Sequence, residues 1–96
     1  MKRIYISGPI TGKENFKSCF ADAEKELISE GCEVINPARL NDALPQLPYG
    51  AYMAACLALL PYASAIYMLK GWEQSEGAKL EMRFAASLKL EIILQQ

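Results

Sequence analysis

The sequence has no histidine. That excludes Ser-His-Asp and Cys-His catalysis and removes a ligand that most zinc sites need. Cysteine is scarce. Cys19, Cys32 and Cys56 are the three present, with neither CxxC nor metal-type spacing. An odd count excludes a complete disulfide framework and points to a reducing compartment. Neither sign of charge dominates: 10 basic and 11 acidic residues are interspersed, for a net charge of −1, which leaves no electrostatic footprint for nucleic acid or an anionic membrane. The stretch from Ala43 to Leu69 carries no charge at all, yet Pro45, Pro48 and Pro61 cut it into pieces too short to cross a bilayer. Met1-Lys2-Arg3 leads into only a short apolar run before Gly8-Pro9, which reads as a strand and not a signal peptide. The expected location is therefore the cytoplasm. Internal repeats and low-complexity segments are absent. So is a P-loop: only three residues separate Gly8 from Gly12, and Glu14 stands where the magnesium-binding hydroxyl belongs. The dinucleotide fingerprint G-x-G-x-x-G is missing as well, which argues against nicotinamide and flavin chemistry.

What is present is enough apolar material, 52% of 96 residues, for one core and one domain spanning residues 1–96. Ile4-Tyr5-Ile6 is a first strand, stopped by the small-residue loop Ser7-Gly8-Pro9-Ile10-Thr11-Gly12. From about Glu14 to Glu30, Phe16, Phe20, Ala23 and Leu27 recur at helical spacing, and Gly31 ends the helix. Glu33-Val34-Ile35 is a second strand, stopped by Asn36-Pro37, and Ala38 to Pro48 reads as a loop. An alanine-rich helix from Tyr49 to Leu60 ends at Pro61. The apolar run from Ala65 to Leu69 is a buried strand. A helix capped by Ser75 runs to about Leu88, and Glu91 to Leu94 is a last strand. Alternating strands and helices imply an α/β fold: a small, Rossmann-like, three-layer domain with a four-stranded parallel sheet in order 2-1-3-4 and helices on both faces.

One residue breaks the amphipathic pattern of the last helix. At about 100° per residue, Glu76, Lys79, Arg83 and Ser87 form one polar stripe, and Glu81 lies about 140° away from it. Its helical neighbours are Gly77, Ala78, Phe84 and Ala85, all small or apolar. A carboxylate on the face that should be buried has a partner, a shifted pKa or a chemical role. A slight roll of the helix, bringing Glu81 to solvent, is the plainer alternative. The first loop carries Ser7, Thr11 and several backbone N–H groups that can wrap a phosphate or sugar, or simply make a βα turn. Trp72 can stack on a base or pack on the domain edge. Tyr49, Tyr52 and Tyr62 read as packing residues.

Taken together, Ile4-Tyr5-Ile6-Ser7-Gly8-Pro9, Asn36-Pro37, the pair Tyr52-Met53 and the run Gly71-Trp72-Glu73-Gln74-Ser75-Glu76-Gly77-Ala78-Lys79-Leu80-Glu81 resemble the nucleoside 2-deoxyribosyltransferase superfamily over nearly the whole chain. They are most similar to its short branch, often encoded by phages or prophages. The resemblance implies that Glu81 is the nucleophile at C1′ of the sugar and that Tyr5 orients it. It also implies that Gly8, Pro9, Thr11, Ser75 and Gly77 surround the sugar or its 5′ group. No metal or cofactor is implied, and a homodimer or larger homo-oligomer is. Three departures stand out. Ser75 occupies a position where transferases usually carry aspartate and where deoxynucleotide hydrolases use serine for phosphate. Pro9 and Thr11 replace the serine and arginine of those hydrolases' first loop. Cys56 and Ser64 replace aspartates. The expected activity is cleavage or transfer at the N-glycosidic bond of a (deoxy)nucleoside or its 5′-monophosphate. The alternatives are a nucleotide-binding module without catalysis and a small oligomeric structural protein.

Overall fold

The computed structural model describes residues 2–10 and 14–96. Four strands alternate with helices: β1 (Arg3–Ser7), α1 (Phe16–Ser29), β2 (Glu33–Ile35), α2 (Ala38–Ala43), α3 (Tyr49–Leu59), β3 (Ala65–Met68), α4 (Glu76–Ser87) and β4 (Glu91–Leu94). Short 3₁₀ turns at Leu60–Tyr62 and Trp72–Gln74 precede β3 and α4. All pairings are parallel and the order is β2-β1-β3-β4. This is the Rossmann-like α/β architecture that the alternating pattern implies.

Burial on both faces explains the sequence of the two central strands. A parallel sheet covered on each side needs apolar residues at every position, and β3 is buried throughout. Successive side chains point to opposite faces. Ile4 and Ile6 therefore join Phe20, Ala23 and Leu27 of α1 in one core, together with Ala65, Tyr67 and Leu69. Tyr5 joins Cys56 of α3, Ile66, Met68, and Ala78 and Ala85 of α4 in the other.

Local signals fix the helix ends. Gly31, at φ 85°, accepts the left-handed conformation that follows α1. The Ser75 hydroxyl accepts the Ala78 N–H at 3.1 Å and caps α4. Gly8 lies against Leu69, whose Cβ would stand 2.8 Å from any Cβ added there. The close approach lets the chain leave β1 directly over β3.

The segment from Ala38 to Pro48 is not all loop, as its sequence suggests. Its first six residues form α2. The Asn36 carboxamide oxygen accepts the Ala38 N–H at 3.0 Å, and Pro37, at φ −67°, is already in helical conformation. Six residues are too few to display an apolar period, which is why the pattern is silent there. Ion pairs from Arg39 to Glu24 at 2.8 Å and from Lys17 to Asp42 at 2.5 Å tie α2 to α1.

Among the described residues, no helix is long and apolar enough to cross a membrane.

Candidate active site

The sheet order reverses direction between β1 and β3, so the crevice at the carboxyl ends of these strands is where ligands bind in open α/β sheets. A cavity of about 610 Å³ opens there, within the range of small-molecule sites. Its walls come from the first loop (Gly8, Pro9, Ile10), from α2 and the segment beyond it (Asn41, Leu47), and from α3 (Tyr49, Tyr52, Met53). The beginning of α4 supplies Ser75, Gly77 and Glu81.

Glu81 points inward. It is 5% exposed, sits between Ala78 and Ala85 on the buried face of α4, and lines the cavity. Tyr5 and Ser7 are two residues apart on β1, so both side chains face α4. The Ser7 hydroxyl donates to Glu81 Oε1 at 2.6 Å, and the Tyr5 hydroxyl donates to Oε2. Both donors are fully buried. No ion pair involves Glu81 among the described residues. A carboxylate has two oxygens and about four lone-pair sites, so two donated hydrogen bonds leave lone pairs that can be turned toward the cavity.

Burial raises the Glu81 pKa above the usual glutamate range, opposed by the hydrogen bonds from Ser7 and Tyr5. Burial, and then the neighbouring Glu81 charge, pushes the Tyr5 phenol up as well, so Tyr5 stays a donor. The linkage has a definite sign. A folded-state pKa above the unfolded value means that the native chain binds this proton more tightly. Glu81 therefore contributes most to stability below about pH 4.3, the unfolded glutamate value, and that contribution is lost as pH rises through the folded pKa. Melting temperatures of the native chain, measured against Glu81→Gln from acid to neutral pH, are expected to fall relative to the variant across that window. A difference that is flat or rises with pH would contradict the dominance of burial at Glu81.

The residues singled out by sequence are distributed as follows. Tyr5, Ser7 and Glu81 are joined by hydrogen bonds. Gly8, Pro9, Ser75 and Gly77 line the cavity. Thr11 lies outside the described residues. Trp72 is not part of the lining; it packs, partly buried, against the core cluster that contains Tyr5, Cys56 and Ala78. Tyr49 and Tyr52, read from the sequence as packing residues, are cavity walls instead. The Tyr52 hydroxyl donates to the Pro37 carbonyl at 3.1 Å, which links α3 to the start of α2. A Cβ at position 77 would meet Tyr49 Oη at 3.1 Å and Met53 Sδ at 3.3 Å. Glycine there lets α3 and α4 converge at the cavity mouth. Asn41 had no sequence signal, because α2 itself had none.

Cys56 is buried beneath Tyr5 and outside the lining, and burial pushes its thiol pKa up. It stays protonated at neutral pH. Among the described residues, no group of three His, Cys, Asp or Glu side chains is placed to hold a metal ion.

The profile of the family described as Domain of unknown function (DUF4406) matches residues 2–94. Among curated proteins, none matches the sequence. Among solved structures, the fold is similar to the 2-desoxiribosyltransferase from Leishmania mexicana, with a TM-score of 0.75 and 16% identity, over 98% of this chain and 63% of that one. The chain thus spans less than two thirds of that protein's length, and at this identity the likeness is one of fold.

Proposed function

The chain belongs to the DUF4406 family, and we propose that it cleaves or transfers at the N-glycosidic bond of a nucleoside or its 5′-monophosphate, with Glu81 as nucleophile. The observation that carries this reading is the Glu81 carboxyl at the cavity wall, buried, in no ion pair among the described residues, and gripped by two hydroxyl donors from β1.

The steps follow from that arrangement. Glu81, ionised, attacks C1′ as the C1′–N bond breaks, and the bonding pair leaves with the base nitrogen. The transition state resembles an oxocarbenium ion, which an adjacent carboxylate stabilises. The product is a glycosyl ester of Glu81. Water attacks C1′ in hydrolysis, or the nitrogen of a second base in transfer; the C1′–O bond to Glu81 breaks, the carboxylate is released, and the attacking group gives up its proton to solvent. Tyr5 and Ser7 hold the carboxylate in position at each stage. Among the described lining residues Glu81 is the one buried acid, and in this reading water in the open cavity protonates the departing base. The fold likeness to a deoxyribosyltransferase supports the reading.

The direct test is incubation with each deoxynucleoside and each 5′-monophosphate, scored by released base. The missing second acid is also what favours the other reading, a nucleotide-binding module. Its signature is saturable stabilisation by one of these compounds without turnover.

Self-association belongs to the same proposal. Leu80 of α4, Leu88 just past its end, and Ile92 and Leu94 of β4 are exposed apolar side chains on neighbouring elements, and a homodimer or larger assembly would cover them. Sedimentation velocity should show a dimer or larger species at micromolar concentration. A monomer throughout would refute it.

A further inference from the structure

The cavity is asymmetric in charge. Two carboxylates line it, Glu81 at the wall and Glu76 at the mouth, and no lysine or arginine is among the described lining residues. Among the described residues, Lys79 is held at the mouth by Glu76 itself, at 3.3 Å, while Lys17 pairs with Asp42 and Arg39 with Glu24. The start of α4 would ordinarily attract an anion. Here its donors and its dipole are partly taken. The Ser75 hydroxyl already accepts the Ala78 N–H, and the Glu76 carboxylate occupies the first turn. Phe20, Leu47, Tyr49 and Met53 give the other walls an apolar and aromatic surface, and Asn41 and Gln74 add only neutral polar groups. An anionic 5′ group entering here would lose hydration and meet two carboxylates, with Lys79 already paired to one of them and no lysine or arginine among the described lining residues.

We propose that Glu76 is a specificity-determining residue that selects neutral nucleosides against their 5′-monophosphates. The inference rests on the glycosidic reading above and sharpens it. It runs against the expectation, implied by serine at position 75, that this residue serves phosphate. The nucleobase lies against the apolar and aromatic walls, and a 5′-hydroxyl lies toward the start of α4. Glu76 acts through space. Its side chain is 83% exposed, so its influence is screened by salt. Neutralising it also frees Lys79, which reinforces the change.

The experiment compares kcat/KM for the four deoxynucleosides and their 5′-monophosphates at low and high salt, in the native chain and in Glu76→Gln and Glu76→Lys. The native chain is expected to prefer each nucleoside over its monophosphate, with a preference that narrows as salt is raised. Glu76→Lys should shift the ratio toward the monophosphate by on the order of tenfold at low salt, and Glu76→Gln by a smaller factor in the same direction. Equal or better use of monophosphates by the native chain overturns the proposal, as does a ratio that neither variant moves. If no compound releases base, the glycosidic reading fails on its own account. Calorimetric binding of the same eight compounds then decides this one: tighter nucleoside binding that Glu76→Lys reverses supports it, and any other binding result overturns it.

Discussion

Glu81→Gln should reduce base release by at least about a thousandfold while the chain still folds. The amide is close in size to the carboxyl but has no anionic oxygen to attack C1′, and losing a nucleophile costs orders of magnitude even where the rest of a site persists. Folding should survive because the change removes a buried charge that burial already disfavours. The amide oxygen keeps one hydroxyl donor. The second hydroxyl, from Tyr5 or Ser7, can reorient to accept from the amide nitrogen. Steady-state assays, with far-UV circular dichroism and a melting curve alongside, separate the two effects. Activity within about tenfold of the native chain would remove Glu81 from the chemistry and the glycosidic reading with it.

Tyr5→Phe should lower kcat/KM by about ten- to a hundredfold and move the acidic limb of the pH profile upward. The ring is fully buried, so the variant keeps its packing and loses only the hydroxyl that donates to Glu81 Oε2. A hydrogen bond to a charged group contributes about 1.5–3 kcal/mol, which is the source of the range. The direction in pH follows from electrostatics. The Tyr5 hydrogen bond pulls the Glu81 pKa down against the effect of burial, so its loss lets the pKa rise. The reactive form is the carboxylate, and a higher pKa means that activity appears only at higher pH. Ser7→Ala should move the limb the same way, because Ser7 opposes burial too. A rate loss without displacement of the acidic limb would make Tyr5 a packing residue alone.

Both variants act on contacts that no local pattern in the chain encodes. Ser7 and Glu81 are 74 residues apart, and Tyr5 and Glu81 are 76 apart. What the sequence shows at each position is orientation within one element. Alternation along β1 puts Tyr5 and Ser7 on a common face, and the helical period turns Glu81 away from the polar stripe of α4. That these two faces meet follows from the sheet order, with β1 beside β3 and α4 packed over both.

The amino-acid sequence by itself determined the four strands and the three longer helices, the Ser75 cap, the Gly31 stop and the displacement of Glu81 from the polar stripe of α4. Each of these depends on residues within a turn or two of one another, so the chain carries the signal locally. Tertiary structure alone decided the rest. It made α2 a helix through an Asn36 contact and ion pairs to α1, drew Tyr49 and Met53 against Gly77 to form a cavity wall, and packed Trp72, partly buried, against the core. A side chain's direction follows from backbone period, but what it faces depends on which elements pack together, and long-range packing has no period to read.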